Sequence, residues 1–135
     1  MKPFQWHDHY AIGHATIDEQ HRKIVDIINL LHGLLNDGAH LEDCAEAGKV
    51  FDQLADYVMT HFIYEEQLMV DGGYPVEKVA EHKREHDKLL GGVQSVMHAY
   101  QSGDTKALAD LLPFLYGDWL IDHICHTDKD YAPYL

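Results

Sequence analysis

Histidines and carboxylates stand in this chain where a helix would otherwise put hydrocarbon. Phe51, Leu54, Val58, His61, Glu65 and Leu68 step by three and four, the spacing that lines one face of an α-helix. His61 and Glu65 therefore occupy core positions. The same rhythm recurs in Val79, His82, His86, Leu89, Val93, Val96 and Tyr100, and in His21, Ile24, Ile28, Leu31 and Leu35. A fourth stripe runs through Leu108, Leu112, Leu115, Trp119 and His123. No strand pattern of comparable strength competes, so the chain reads as all-α.

Helix signals set the boundaries. An N-terminal arm of residues 1–15 precedes helices expected at about 17–36, 43–70, 75–101 and 105–127. Thr16-xx-Glu19 and Asp43-xx-Glu46 have the form of capping boxes, while Asn36-Asp37-Gly38, Gly72-Gly73 and Gly103 act as stops. Pro75 suits the first turn of the third helix, and Gly91-Gly92 is a soft spot within it. In the fourth, Pro113 removes a backbone donor and predicts a kink around Ala109 to Pro113. Short connections between long helices favour an antiparallel, up-down-up-down four-helix bundle, and 135 residues fit one domain, 1–135.

That topology gathers the polar core positions. His21 lies near the start of the first helix, His61 and Glu65 toward the end of the second, His82 and His86 near the start of the third, and His123 and Asp128 at the end of the fourth. In an up-down bundle those four ends coincide, so all seven groups fall in one layer. Cys44 and Cys125 instead fall at opposite ends of a bundle whose second helix alone spans about 40 Å at ~1.5 Å rise per residue, so reduced thiols and no intramolecular disulfide are expected.

Five imidazoles and two carboxylates suit two closely spaced transition-metal ions better than one. Mixed nitrogen and oxygen ligation without thiolate fits iron, manganese, zinc or copper and is a poor match for calcium. If both carboxylates and a solvent oxygen bridge the metals, five histidines divide three and two. One metal is then six-coordinate and the other five-coordinate, with a single open position suited to a small diatomic ligand. One inward histidine is ordinary core chemistry, but burying Glu65 without a cation or donor costs several kcal/mol, so the cluster needs compensating charge. Asp128 is the weak geometric case, since five residues past His123 lies about 140° around an ideal helix. His126, three residues after His123, is its rival, and periodicity alone does not decide between them.

The balance of 10 basic against 23 acidic residues argues against nucleic acid or an anionic membrane as partner. The opening MKPFQWHDHY has no apolar core of signal-peptide length, and no later run approaches the ~18 apolar residues of a membrane span. A cytoplasmic monomer is the expectation.

Taken with their order and spacing, Trp6, Gly13, IDEQH at 17 to 21, HFIYEEQLM at 61 to 69, GGYP at 72 to 75, EHKREHDKLL at 81 to 90 and WLIDHICHTDKDY at 119 to 131 resemble the hemerythrin family, specifically its stand-alone bacterial members. The resemblance covers nearly the whole chain and implies a non-haem di-iron centre. His82, His86 and His123 would hold the coordinatively full iron and His21 and His61 the open one, with Glu65, Asp128 and a solvent-derived oxygen as bridges. It thus selects Asp128 over His126. It also implies an apolar oxygen pocket of Phe62, Trp119, Leu120 and Ile124, and gives Tyr131 a matching position of unspecified role. His14 departs from the family, where an apolar residue is common; an exposed histidine is expected there. His7, His9, His32, His40 and His98 match no ligand position and are assigned to surface or helix packing, while His126 beside Cys125 is a candidate to tune the site indirectly. The function implied is reversible dioxygen binding for transport, storage or delivery to an oxygen-consuming enzyme, without enzymatic turnover. The alternatives are sensing of oxygen, redox state or nitric oxide for a signalling partner, and a di-iron oxidase or peroxidase.

Overall fold

Asp18 ties the N-terminal arm to the first helix. Its buried carboxylate accepts the backbone N–H groups of Ile12 at 2.8 Å and Gly13 at 3.2 Å. His14 Nδ1 accepts the N–H of Ile17 at 3.3 Å, so an imidazole does the capping that the sequence reading gave to Thr16. Helix α1 accordingly spans Ala15–Asn36, two residues longer at its start than expected, and His14 is half-buried rather than exposed. The computed structural model describes residues 5–36, 41–103, 113, 117, 123, 124 and 127–135.

Helix α2 spans Leu41–Asp71 and α3 spans Val76–Gln101. Asp43 and Glu46 lie inside α2 rather than ahead of it, and Pro75 stands one residue before α3, with φ −52° and ψ 133°. The helix continues unbroken through Gly91 and Gly92, since neither glycine removes a backbone donor. Between α2 and α3 the chain reverses through four residues, Gly72 to Pro75. Tyr74 N–H bonds Met69 O at 3.0 Å and Gly73 N–H bonds Val70 O at 3.2 Å, a Schellman pair that needs a left-handed residue. Gly73 supplies it at φ +78°, and a Cβ on neighbouring Gly72 would lie 2.2 Å from the Tyr134 carbonyl oxygen. The turn leads from α2, which carries His61 and Glu65, into α3, which carries His82 and His86.

The architecture is an antiparallel, up-down-up-down four-helix bundle with an N-terminal arm. In the fourth segment Pro113 is helical, His123 and Ile124 adopt the wider i→i+5 turn, and Thr127–Asp130 form a tight 3₁₀ turn. The rest of the helix expected at 105–127 lies outside the described residues. So do the proposed kink short of Pro113, and Trp119, Leu120, Cys125 and His126, and with Cys125 the expected separation of the two thiols.

Among the described residues most stripe positions of the first three helices are buried, while Val96 and Tyr100 are half-buried. Ile24, Ile28, Leu31, Phe51, Leu54, Val58, Leu89 and Val93 belong to one hydrocarbon cluster, and Met69, Tyr74, Val79 and Tyr131 to a smaller one. At the end of α2 the buried position passes from the expected Leu68, half-buried, to Met69, fully buried. Four-residue steps follow the 3.6-residue turn there better than another step of three. Among the described residues no helix is long and apolar enough to cross a membrane.

Candidate metal centre

Each of the seven polar core residues reaches the same buried layer. His21, His61, Glu65, His82, His86, His123 and Asp128 are all at most 3% exposed. Their ligand-type atoms fall into two overlapping groups, each within 4.8 Å: Glu65, Asp128, His82, His86 and His123 in one, and Glu65, Asp128, His21 and His61 in the other. The two carboxylates belong to both.

Their oxygens are divided between the groups. Glu65 Oε1 lies 2.6 Å from His82 Nε2 and 3.2 Å from His86 Nε2, while Oε2 lies 3.0 Å from His61 Nε2 and 3.8 Å from His21 Nε2. Asp128 repeats the division, with Oδ1 at 2.9 Å from His123 and 3.0 Å from His82, and Oδ2 at 3.0 Å from His21. Asp128 reaches the layer because the backbone at His123 and Ile124 is not an ideal helix. A wider turn carries residue i+5 back toward residue i, and the 3₁₀ turn that follows completes the swing.

Several of these facing atoms approach one another closely without hydrogen-bond geometry. Among the described residues, His21 Nε2, His61 Nε2, Glu65 Oε2 and both Asp128 oxygens are buried without a hydrogen bond. His86 Nε2 and His123 Nε2 face each other at 3.1 Å, an approach that needs a proton or a cation between them. Buried polar groups are normally satisfied, and inward lone pairs on mixed imidazole and carboxylate donors fit transition-metal ions.

The electrostatics carry the same message. Burial disfavours charge on His21, His82 and His123, yet Asp128 and Glu65 beside them outweigh it and raise the pKa to about 9 for His21 and His82 and about 10 for His123. Burial keeps His86 below its ordinary value. Burial likewise opposes ionisation of Glu65 and Asp128, but the surrounding imidazoles hold both carboxyls well below the usual range. Without metal, protons on the imidazoles supply the positive charge that the carboxylates demand.

Two of the outward histidine nitrogens have hydrogen-bond partners that spacing did not reveal. His61 Nδ1–H donates to Gln20 Oε1 at 2.6 Å, and His123 Nδ1–H donates to Glu85 Oε1 at 2.8 Å, leaving each Nε2 lone pair for the interior. Thr127 Oγ1 also donates to Glu85 Oε1, at 3.1 Å, and Glu66 Oε2 lies 3.6 Å from His86 Nδ1. Gln20, Glu66 and Glu85 each adjoin a layer residue in sequence; Gln20 and Glu85 hydrogen-bond a histidine of the next helical segment, and Glu66 approaches one. That adjacency was the available signal. Of the expected pocket, Phe62 stacks on His86 at 3.7 Å between ring centroids, 5° from parallel, and Ile124 is buried.

Comparison with known proteins agrees with this geometry. The Hemerythrin HHE cation binding domain matches residues 13–135. The chain is 40% identical over 118 residues to a bacteriohemerythrin of Methylococcus capsulatus, covering 87% of this chain and 85% of that protein. It is 36% identical over 127 residues to one of Stenotrophomonas maltophilia, covering 94% and 78%. A crystal structure of wild-type hemerythrin superposes with a TM-score of 0.87 at 35% identity, covering 99% of this chain and 98% of the other. The sequence match, the shared bundle and the buried layer of imidazoles and carboxylates together establish that this chain belongs to the hemerythrin family.

Proposed function

We propose that this chain binds dioxygen reversibly at a non-haem di-iron centre and so carries, stores or delivers oxygen. The observation that carries the reading is the division of carboxylate oxygens between a group of three histidines and a group of two. His82, His86 and His123 would hold one iron and His21 and His61 the other, with Glu65 and Asp128 shared between them. Iron, when bound, supplies the electrons for reversible dioxygen binding.

The protein's part is to position and to exclude. Glu65 and Asp128 neutralise cationic charge in a layer where water cannot. Phe62 covers the His86 face with hydrocarbon, and buried Ile124 adjoins His123. With Trp119 and Leu120 these side chains would form an apolar pocket that keeps water and external reductants out. The histidine-rich donor set distinguishes the site from the carboxylate-rich, Glu-x-x-His shells of many oxidising di-iron proteins, which favours binding over turnover. The reading extends to a cytoplasmic monomer that folds as one domain over 1–135.

Oxygen uptake by the anaerobically reduced, iron-loaded protein tests this. One dioxygen per chain, taken up and returned over repeated cycles, is the expected result. Continuous oxygen consumption with peroxide or water as product would contradict it and favour an oxidase.

A further inference from the structure

The two histidine groups differ in what stands behind them. On the two-histidine side, His61 leans on the neutral amide oxygen of Gln20 at 2.6 Å. On the three-histidine side, His123 leans on the carboxylate of Glu85 at 2.8 Å, and a second carboxylate, Glu66, lies 3.6 Å from His86 Nδ1. Glu85 is held in place by Thr127 at 3.1 Å, although its side chain is 37% exposed. A carboxylate behind an imidazole draws its N–H proton and makes the opposite nitrogen a stronger electron donor; an amide does so far less. The contrast is thus one of charge at matched hydrogen-bond geometry.

We propose that Glu85 and Gln20 are positioning residues that give the two halves of the centre different electron-donating strength, with His123 made the stronger donor and His61 the weaker. This rests on the di-iron reading and deepens it. The half backed by carboxylates stabilises the higher metal charge, and the half backed by an amide keeps its metal easier to hold in the reduced, ligand-accepting state. Hydrogen bonding alone does not account for the difference, because glutamine accepts the same bond as glutamate.

The test uses the full iron-loaded chain with Glu85→Gln and Gln20→Glu, reading iron per chain and midpoint potential. Glu85→Gln keeps the bond to His123 and removes its charge. It should retain the wild-type iron count while shifting the ferric-to-ferrous balance about tenfold toward ferrous, about 59 mV upward for one electron. Gln20→Glu, on a different helix, should shift the potential downward and provides the test if Glu85→Gln does not fold. Full iron in both variants with wild-type potentials overturns the proposal and leaves the di-iron reading standing, because a merely orienting role survives these conservative changes. Failure of the wild-type chain itself to take up iron would overturn both.

Discussion

Toward one end of the bundle, α1 and α2 share a hydrocarbon cluster that includes Ile24, Ile28, Leu31, Phe51 and Leu54; a few turns away the same helices present His21, His61 and Glu65. Both regions are fully buried, but burial acts in opposite directions. A large apolar side chain gains about 1.5–3 kcal/mol on leaving water. A carboxylate costs several kcal/mol unless charge and hydrogen bonds compensate. The hydrocarbon end thus stabilises the bundle with or without metal or bound protons, while the polar layer is stable only with cations or protons among its imidazoles. That dependence on an added cation is what a binding site requires.

Breaking the hydrocarbon end should have the largest effect. Phe51→Ala is expected to cost about 3–5 kcal/mol, equally with and without metal, as measured by urea denaturation. A loss confined to the metal-loaded form would mean that the two regions are coupled. Removing metal from the wild type tests the other region and should cost about 2.7 kcal/mol for each ion lost, relative to protein held at a hundredfold excess of metal over its Kd. Equal thermal stability in both forms would contradict a cation-dependent layer.

The pH profile sharpens the contrast. The raised pKa values of His21, His82 and His123 mean that, without metal, their protons stabilise the fold fully below pH 6.5, the value expected when unfolded. This contribution is lost as pH rises through about 9 to 10. The metal-free chain should therefore melt at progressively lower temperature from pH 7 to 10, whereas bound metal replaces those protons and flattens the curve. Parallel curves for the two forms would contradict this. The smallest effect is expected at the turn joining α2 to α3. Gly73→Ala forces a side chain into the left-handed region and should cost about 1 kcal/mol without altering iron content; loss of iron would show that the turn sets ligand geometry more tightly than the helices do.

Much of this was legible in the sequence because spacing within one helix determines which residues share a face. The stripe from Phe51 to Glu65 and the pair His82 and His86 are buried as their spacing predicts, and up-down topology brings four helix ends into one layer. The less legible features depend on departures from an ideal helix or on how helices rotate against one another. Asp128 turns inward through a wide turn followed by a tight one, which a constant 100° per residue cannot anticipate. The capping role of His14 uses an acceptor outside the usual Ser, Thr, Asp and Asn set. Gln20, Glu66 and Glu85 stand beside layer residues, but whether such a neighbour reaches the next helix depends on the interhelical seam, which no single stripe encodes.

Iron counted per chain after anaerobic reconstitution, in the wild type and in Glu65→Ala, tests the central claim most directly. Glu65 contributes an oxygen to each histidine group, so its loss should empty both positions together. The expected result is two iron ions per chain in the wild type and almost none in the variant. Full iron retention by Glu65→Ala would contradict a carboxylate-bridged pair and require a different set of ligands.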